Sequence, residues 1–173
     1  MRKFIVLILL IIQISTIPVL GYVSETITEK DLTEIYSIAL NSFILDQYTL
    51  DHISYISVDM STQYYDNISI NGREEILGSL KKYGKTLVTD SLEGLKQKGL
   101  ADNYGNVNVS QNETVVKRGL ILRIWKVSFI SENEVQIQGD CYETPIAGKG
   151  FISTIIFKDE KWQLKNSKLL YVA

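Results

Sequence analysis

The sequence has one cysteine, Cys141, and one histidine, His52. A single cysteine excludes a disulfide within the chain, so the core has to hold the fold together, and the thiol is left with burial or a bridge to another chain. Position favours burial. Cys141 follows Val135, Ile137 and Gly139 at every second residue, on the face of a strand that should point inward. One histidine and one cysteine on distant segments are too few for zinc, and neither metal nor other cofactor is expected. His52 with Asp51 and Asp59 is the one grouping that could recruit distant carboxylates, but a histidine ahead of a strand has an ordinary structural explanation. The same scarcity leaves His52 as the sole base for a serine nucleophile. No serine stands on a strained strand-to-helix elbow, so no catalytic residue is assigned.

A surplus of positive charge is also missing. The 18 basic residues fall to 16 when Arg2 and Lys3 are set aside, against 20 acidic ones. That balance argues against a nucleic-acid partner, which needs a clustered basic face. Lys81, Lys82 and Lys85, and Lys158, Lys161, Lys165 and Lys168, read as solvated faces of a helix and a hairpin. There is no internal repeat and no low-complexity stretch.

What is present begins with MRKFIVLILLIIQISTIPVLGYVSE. Arg2 and Lys3 precede an uncharged run that lasts until Glu25. Positive charge, an apolar block, then a more polar stretch with Pro18 and Gly21 is the order of a secretory signal peptide. Residues 4–23 are also long enough to span a bilayer as an uncleaved anchor. Either fate leaves Arg2 and Lys3 inside and residues 25–173 outside the membrane. A lipid anchor is excluded, since no cysteine lies near the end of this segment. The rest, about 150 residues, suits one domain with one core.

Thr28 opens the first element with the capping-box spacing T-x-x-D to Asp31, and Leu32, Ile35, Tyr36, Ala39 and Phe43 recur at helical spacing. His52 to Asp59 reads as a strand and Ser61 to Gly72 as a loop. A helix from Arg73 to Tyr83 should end at Gly84, and a short strand is expected over Thr86 to Thr89. Asp90 or Ser91 caps a further helix that stops at Gly99. Asp102 to Glu113 reads as a loop or extended hairpin. Four strands follow over Gly119–Ile130, Glu134–Glu143, Gly150–Lys158 and Lys161–Val172; the turns at Ser131-Glu132-Asn133 and Asp159-Glu160 make their neighbours antiparallel. The expected fold is α+β, with helices packed on one face of a curved, mainly antiparallel sheet ending in a four-strand meander.

Two motifs imitate ligand loops and fail. GSLKKYGKT ends like a nucleotide-binding loop, but five residues rather than four separate Gly78 from Gly84, and a helix precedes the glycine instead of following it. Asn67, Ser69, Asn71 and Gly72 imitate a calcium loop, but its twelfth position is Gly78, where a bidentate glutamate is required. Asn67, Asn108 and Asn112 head N-glycosylation triplets, which point to exposed loops.

Arg123, Trp125 and Tyr142 are the candidate binding residues. They fall on adjacent strands, where aromatic rings and a guanidinium could line a cleft; core packing with Arg123 reaching out to solvent is the competing explanation. The stretches ISYISVDMS, REEILGSLKKYG and TDSLEGLKQKGL, with the closing GFISTIIFKDEKWQLKNSKLLYV, resemble small extracytoplasmic proteins of Gram-positive bacteria. The D-x-K-W turn of the last pair is similar to nuclear-transport-factor-2-like and cystatin-like α+β folds. That resemblance implies an architecture and no chemistry. The functional expectation is a non-enzymatic extracytoplasmic binding module, secreted or tethered, with a small molecule or a cell-surface protein as partner. The alternatives are a small hydrolase or isomerase using a cleft carboxylate, or a structural component that self-associates.

Overall fold

The computed structural model describes residues 27–44, 50–102, 106–110, 116–144 and 147–173. The expected export segment and Asn112 lie outside them. Among the described residues no helix is long and apolar enough to cross a membrane.

Helix α1 (Glu29–Ser42) starts where the capping box requires: Thr28 accepts from the Asp31 N–H, and the Asp31 carboxylate accepts from the Thr28 N–H at 2.9 Å. Asp31 also accepts from the Trp162 indole at 2.9 Å. Strand β1 (Tyr55–Asp59) follows a single 3₁₀ turn, Leu50–His52. The stretch read as a loop after β1 carries another such turn at Gln63–Tyr65, and helix α2 (Ile70–Gly78) opens inside it because Ser69 accepts from the Gly72 N–H. The helix expected to run to Tyr83 breaks early, and Lys81–Tyr83 forms a separate 3₁₀ turn. Gly84 ends that turn at φ 66°, a left-handed conformation that glycine adopts without penalty. It is a terminator, with no phosphate-loop geometry around it.

Strand β2 (Thr86–Val88) leads to helix α3 (Leu92–Gln97), which Ser91 caps. A short strand β3 (Asn108–Ser110) then makes an antiparallel pair with the start of β4 (Val116–Ser131), followed by β5 (Glu134–Thr144), β6 (Ala147–Lys158) and β7 (Lys161–Val172). Six strands follow the order β2-β1-β4-β5-β6-β7 and do not close. The pairs from β4 to β7 are antiparallel, whereas β1 runs parallel to both β2 and β4. The sheet is thus mainly antiparallel with a parallel corner, a feature that turn chemistry does not encode.

Alternation along the strands sorts side chains onto two faces. On one, Ile56, Val58, Leu120, Leu122, Ile124, Val135, Ile137, Cys141 and Phe151 share a core with Ile35, Leu40 and Phe43 of the α1 segment and Ile76 of α2. Cys141 is buried there, its thiol 3.6 Å from the Phe43 carbonyl. On the other face a smaller cluster of Tyr55, Ile121, Val107 and Ala101 packs against Leu95 of α3. Helices on a single face describes α1 and α2; α3 lies on the opposite side, because β2 hands the chain over to β4 there.

Candidate functional site

The face carrying α3 is closed by apolar packing at one end only. Beyond Ile121 the register sets Arg123 opposite Asp140, Asp140 opposite Gly150, and Gly150 opposite Tyr171, one row across four strands. A second row sets Ile121 opposite Tyr142 and Tyr142 opposite Gly148. Gly150 is what lets the row collapse. A Cβ at that position would lie 2.1 Å from the Tyr171 ring, so any side chain would push the ring off the sheet.

The polar atoms of this row satisfy one another. Arg123 donates from Nη2 to Asp140 Oδ2 at 2.7 Å and from Nε to Oδ1 at 3.2 Å, a two-pronged contact. The Tyr171 hydroxyl donates to Asp140 Oδ2 at 3.2 Å. Asp140 is 4% exposed and both of its oxygens are engaged, whereas the Arg123 side chain is 40% exposed. The guanidinium carbon lies 5.5 Å from the centre of the Tyr142 ring, in cation–π range. With Leu92, Gly148 and Ala173 these groups line a cleft of about 260 Å³.

Charge in the cleft is nearly balanced. The hydrogen bonds to Asp140 raise the Arg123 pKa further above its ordinary value. Burial pushes the Tyr142 phenol up, partly offset by the Arg123 charge; burial and then the Asp140 charge do the same to Tyr171. At neutral pH the cleft therefore presents one fixed cation and two neutral hydroxyls. Asp59, paired in register with Arg123 on the same face, adds its charge to the surroundings of Arg123 and Tyr142, while its Oδ1 accepts from the Ser61 N–H at 3.0 Å and the Ser61 hydroxyl at 2.6 Å.

Of the three residues singled out from sequence, Arg123 and Tyr142 come together here and Trp125 does not. The β4–β5 register shifts between Ile124 and Lys126, so Trp125 is the extra residue of a bulge, with its carbonyl accepting from the Tyr64 hydroxyl at 3.0 Å. Strict alternation would have kept it beside Arg123. Asp140 and Tyr171 complete the cleft and were not singled out from the sequence: Asp140 alternates with Gly139 and Cys141 on the polar face of its strand, a signal that could have found it, while nothing local marks Tyr171. His52 lies elsewhere, with Nε2 3.1 Å from Glu143 Oε1, tying the turn before β1 to the end of β5. Among the described residues no three His, Cys, Asp or Glu side chains are grouped as metal ligands would be.

No family model matches the chain, and neither a curated protein nor a solved structure matches it.

Proposed function

We propose that the domain is a non-enzymatic binding module working on the outer side of a membrane, either secreted or held there by residues 4–23. One observation carries this reading: Arg123 is pinned by Asp140, half exposed, and set over the face of Tyr142, with Tyr171 lining the same cleft. Two of its five N–H groups are spent on Asp140, which fixes the guanidinium plane and leaves the others for a ligand. The cleft suits a small planar ligand with a hydrogen-bond acceptor at one edge, its ring stacked on tyrosine and its acceptor on Arg123.

The hydrolase or isomerase alternative would need a cleft carboxylate free to take a proton. Asp140 is the carboxylate at hand, and its oxygens already hold Arg123 and Tyr171. In the proposed architecture the sheet is curved, α1 and α2 cover its concave side, and β4 to β7 form the closing meander of a nuclear-transport-factor-2-like or cystatin-like domain.

The test is native mass spectrometry, without reducing agent, of the intact protein taken from membranes and medium of its own cells. A bound small molecule that is lost in Arg123→Gln supports the reading. Saturable turnover abolished by Asp140→Asn would overturn it in favour of an enzyme.

A further inference from the structure

The parallel corner of the sheet holds a second cleft. From β1 the chain passes to α2, which packs on the larger core with Ile76, and returns as β2 alongside β1. From β2 it passes to α3, which packs on the opposite face with Leu95, before reaching β4 on the other side of β1. The loops leaving the carboxyl ends of β1 and β2 therefore part to opposite faces. Such a divergence is a topological switch point, where open sheets with parallel strands leave a crevice for ligands. The crevice is there: about 510 Å³, lined by Met60 and Ser61 after β1, Ile70, Arg73, Glu74 and Leu77 of α2, and Thr89 to Ser91 after β2.

Its lining offers three kinds of group: a held cation, an exposed carboxylate and an exposed apolar side chain. Arg73 donates from Nε to the Ile68 carbonyl at 3.1 Å and from Nη2 to the Tyr65 carbonyl at 2.7 Å, so its guanidinium is held still by neutral acceptors and keeps its charge for something else. Glu74, the next residue, is exposed, whereas the other carboxylate, Asp90, is held by Lys98 at 2.5 Å. Ile70 is 76% exposed, the largest value among the exposed large apolar side chains of the described residues. An isoleucine left in water beside a fixed cation and an available anion fits an amphoteric ligand with an apolar side chain.

We propose that this crevice binds an α-amino acid unit, free or as a short peptide: carboxylate on Arg73, ammonium on Glu74, and apolar side chain against Ile70, Leu77 and Met60. It shares no lining residue with the Arg123 cleft, so the two sites stand or fall separately.

Methyl NMR of the full chain in detergent micelles tests it, with Ile70→Val assigning the Ile70 signal. L-leucine or leucyl-leucine should shift the Ile70 and Leu77 methyls saturably, and the one that binds tighter tells a free amino acid from a peptide. Glu74→Gln, an exposed change that leaves the fold intact, should weaken binding roughly tenfold. N-acetyl-leucine, which has no ammonium, should bind the unmodified chain as weakly as leucine binds Glu74→Gln. Silence of Ile70 toward both probes at ~10 mM would overturn the proposal. So would equal binding of leucine and N-acetyl-leucine, or a response confined to Leu92 in the other cleft.

Discussion

The two faces of the sheet are built from the same strands and differ in what they bury. One takes Ile56, Leu120, Leu122 and Ile124 from β1 and β4 and seals them under α1 and α2. The other takes the residues between them, Tyr55, Ser57, Asp59, Ile121 and Arg123, and covers only the first part with α3. Stability is thus concentrated on one side, which frees the other to hold an exposed cation and two phenols. A strand that is apolar on both sides for half its length and polar on one side afterwards serves both ends.

Substitutions can break this contrast. Leu122→Ala, in the larger core, should destabilise by about 3–5 kcal/mol, because densely packed neighbours cannot close the void. Leu95→Ala, equally buried but in the small cluster, should lose about 2–3 kcal/mol, since a six-residue helix can settle into the gap. Both are read from urea unfolding of the full chain in micelles; equal losses would mean that the faces are one core.

Alkali examines both faces together. Burial pushes the phenols of Tyr36, on the larger core, and Tyr55, on the smaller, up to about 12. Tyr55 donates to the Leu100 carbonyl at 2.6 Å, a bond that ionisation would turn into a repulsion. Folded pKa values above the unfolded value of 10 give stability that is complete below pH 10 and is lost as pH rises toward 12. Tyr36 alone should contribute about 2 kcal/mol of that loss. Unfolding at stepped pH, followed by phenolate absorbance, should show no change from these groups below pH 10.

Gly150→Ala is aimed at the open face alone. Lifting the Tyr171 ring should cost about 1–2 kcal/mol, and should bring its phenol back toward an ordinary pKa as it leaves Asp140. A tyrosine titration identical to that of the unmodified chain would show that the ring does not depend on the glycine. The smallest effect belongs to neither face. Asp159 and Glu160 turn the last hairpin at φ 54° and 61°, in the left-handed region. Glu160→Gly should therefore stabilise by about 0.5–1 kcal/mol, visible as a small rise in Tm.

Local features of this chain were legible because their causes are local. Thr28 and Asp31 lie three residues apart, Gly84 and Gly99 stop what precedes them, and Asp159-Glu160 sits between two alternating runs; each was placed from the sequence. Parallel pairing of β1 was not, because it depends on which edge of β4 is vacant, and no residue of His52 to Asp59 records that. Nor was the bulge at Trp125, which made a sound alternation put the wrong aromatic beside Arg123. The cleft was therefore half visible: Arg123 and Tyr142 face each other across one strand pair, while Tyr171 enters from two strands further on, by way of a glycine.

The bond from Trp162 to Asp31 spans 131 residues, and Ser42 meets Ser153 across 111. Helix α1 is thus tied to the last two strands as well as packed on α2. Forming such distant contacts closes large loops before any apolar surface is gained, which slows folding. Until the closing hairpin of β6 and β7 is made, α1 lacks both of these partners.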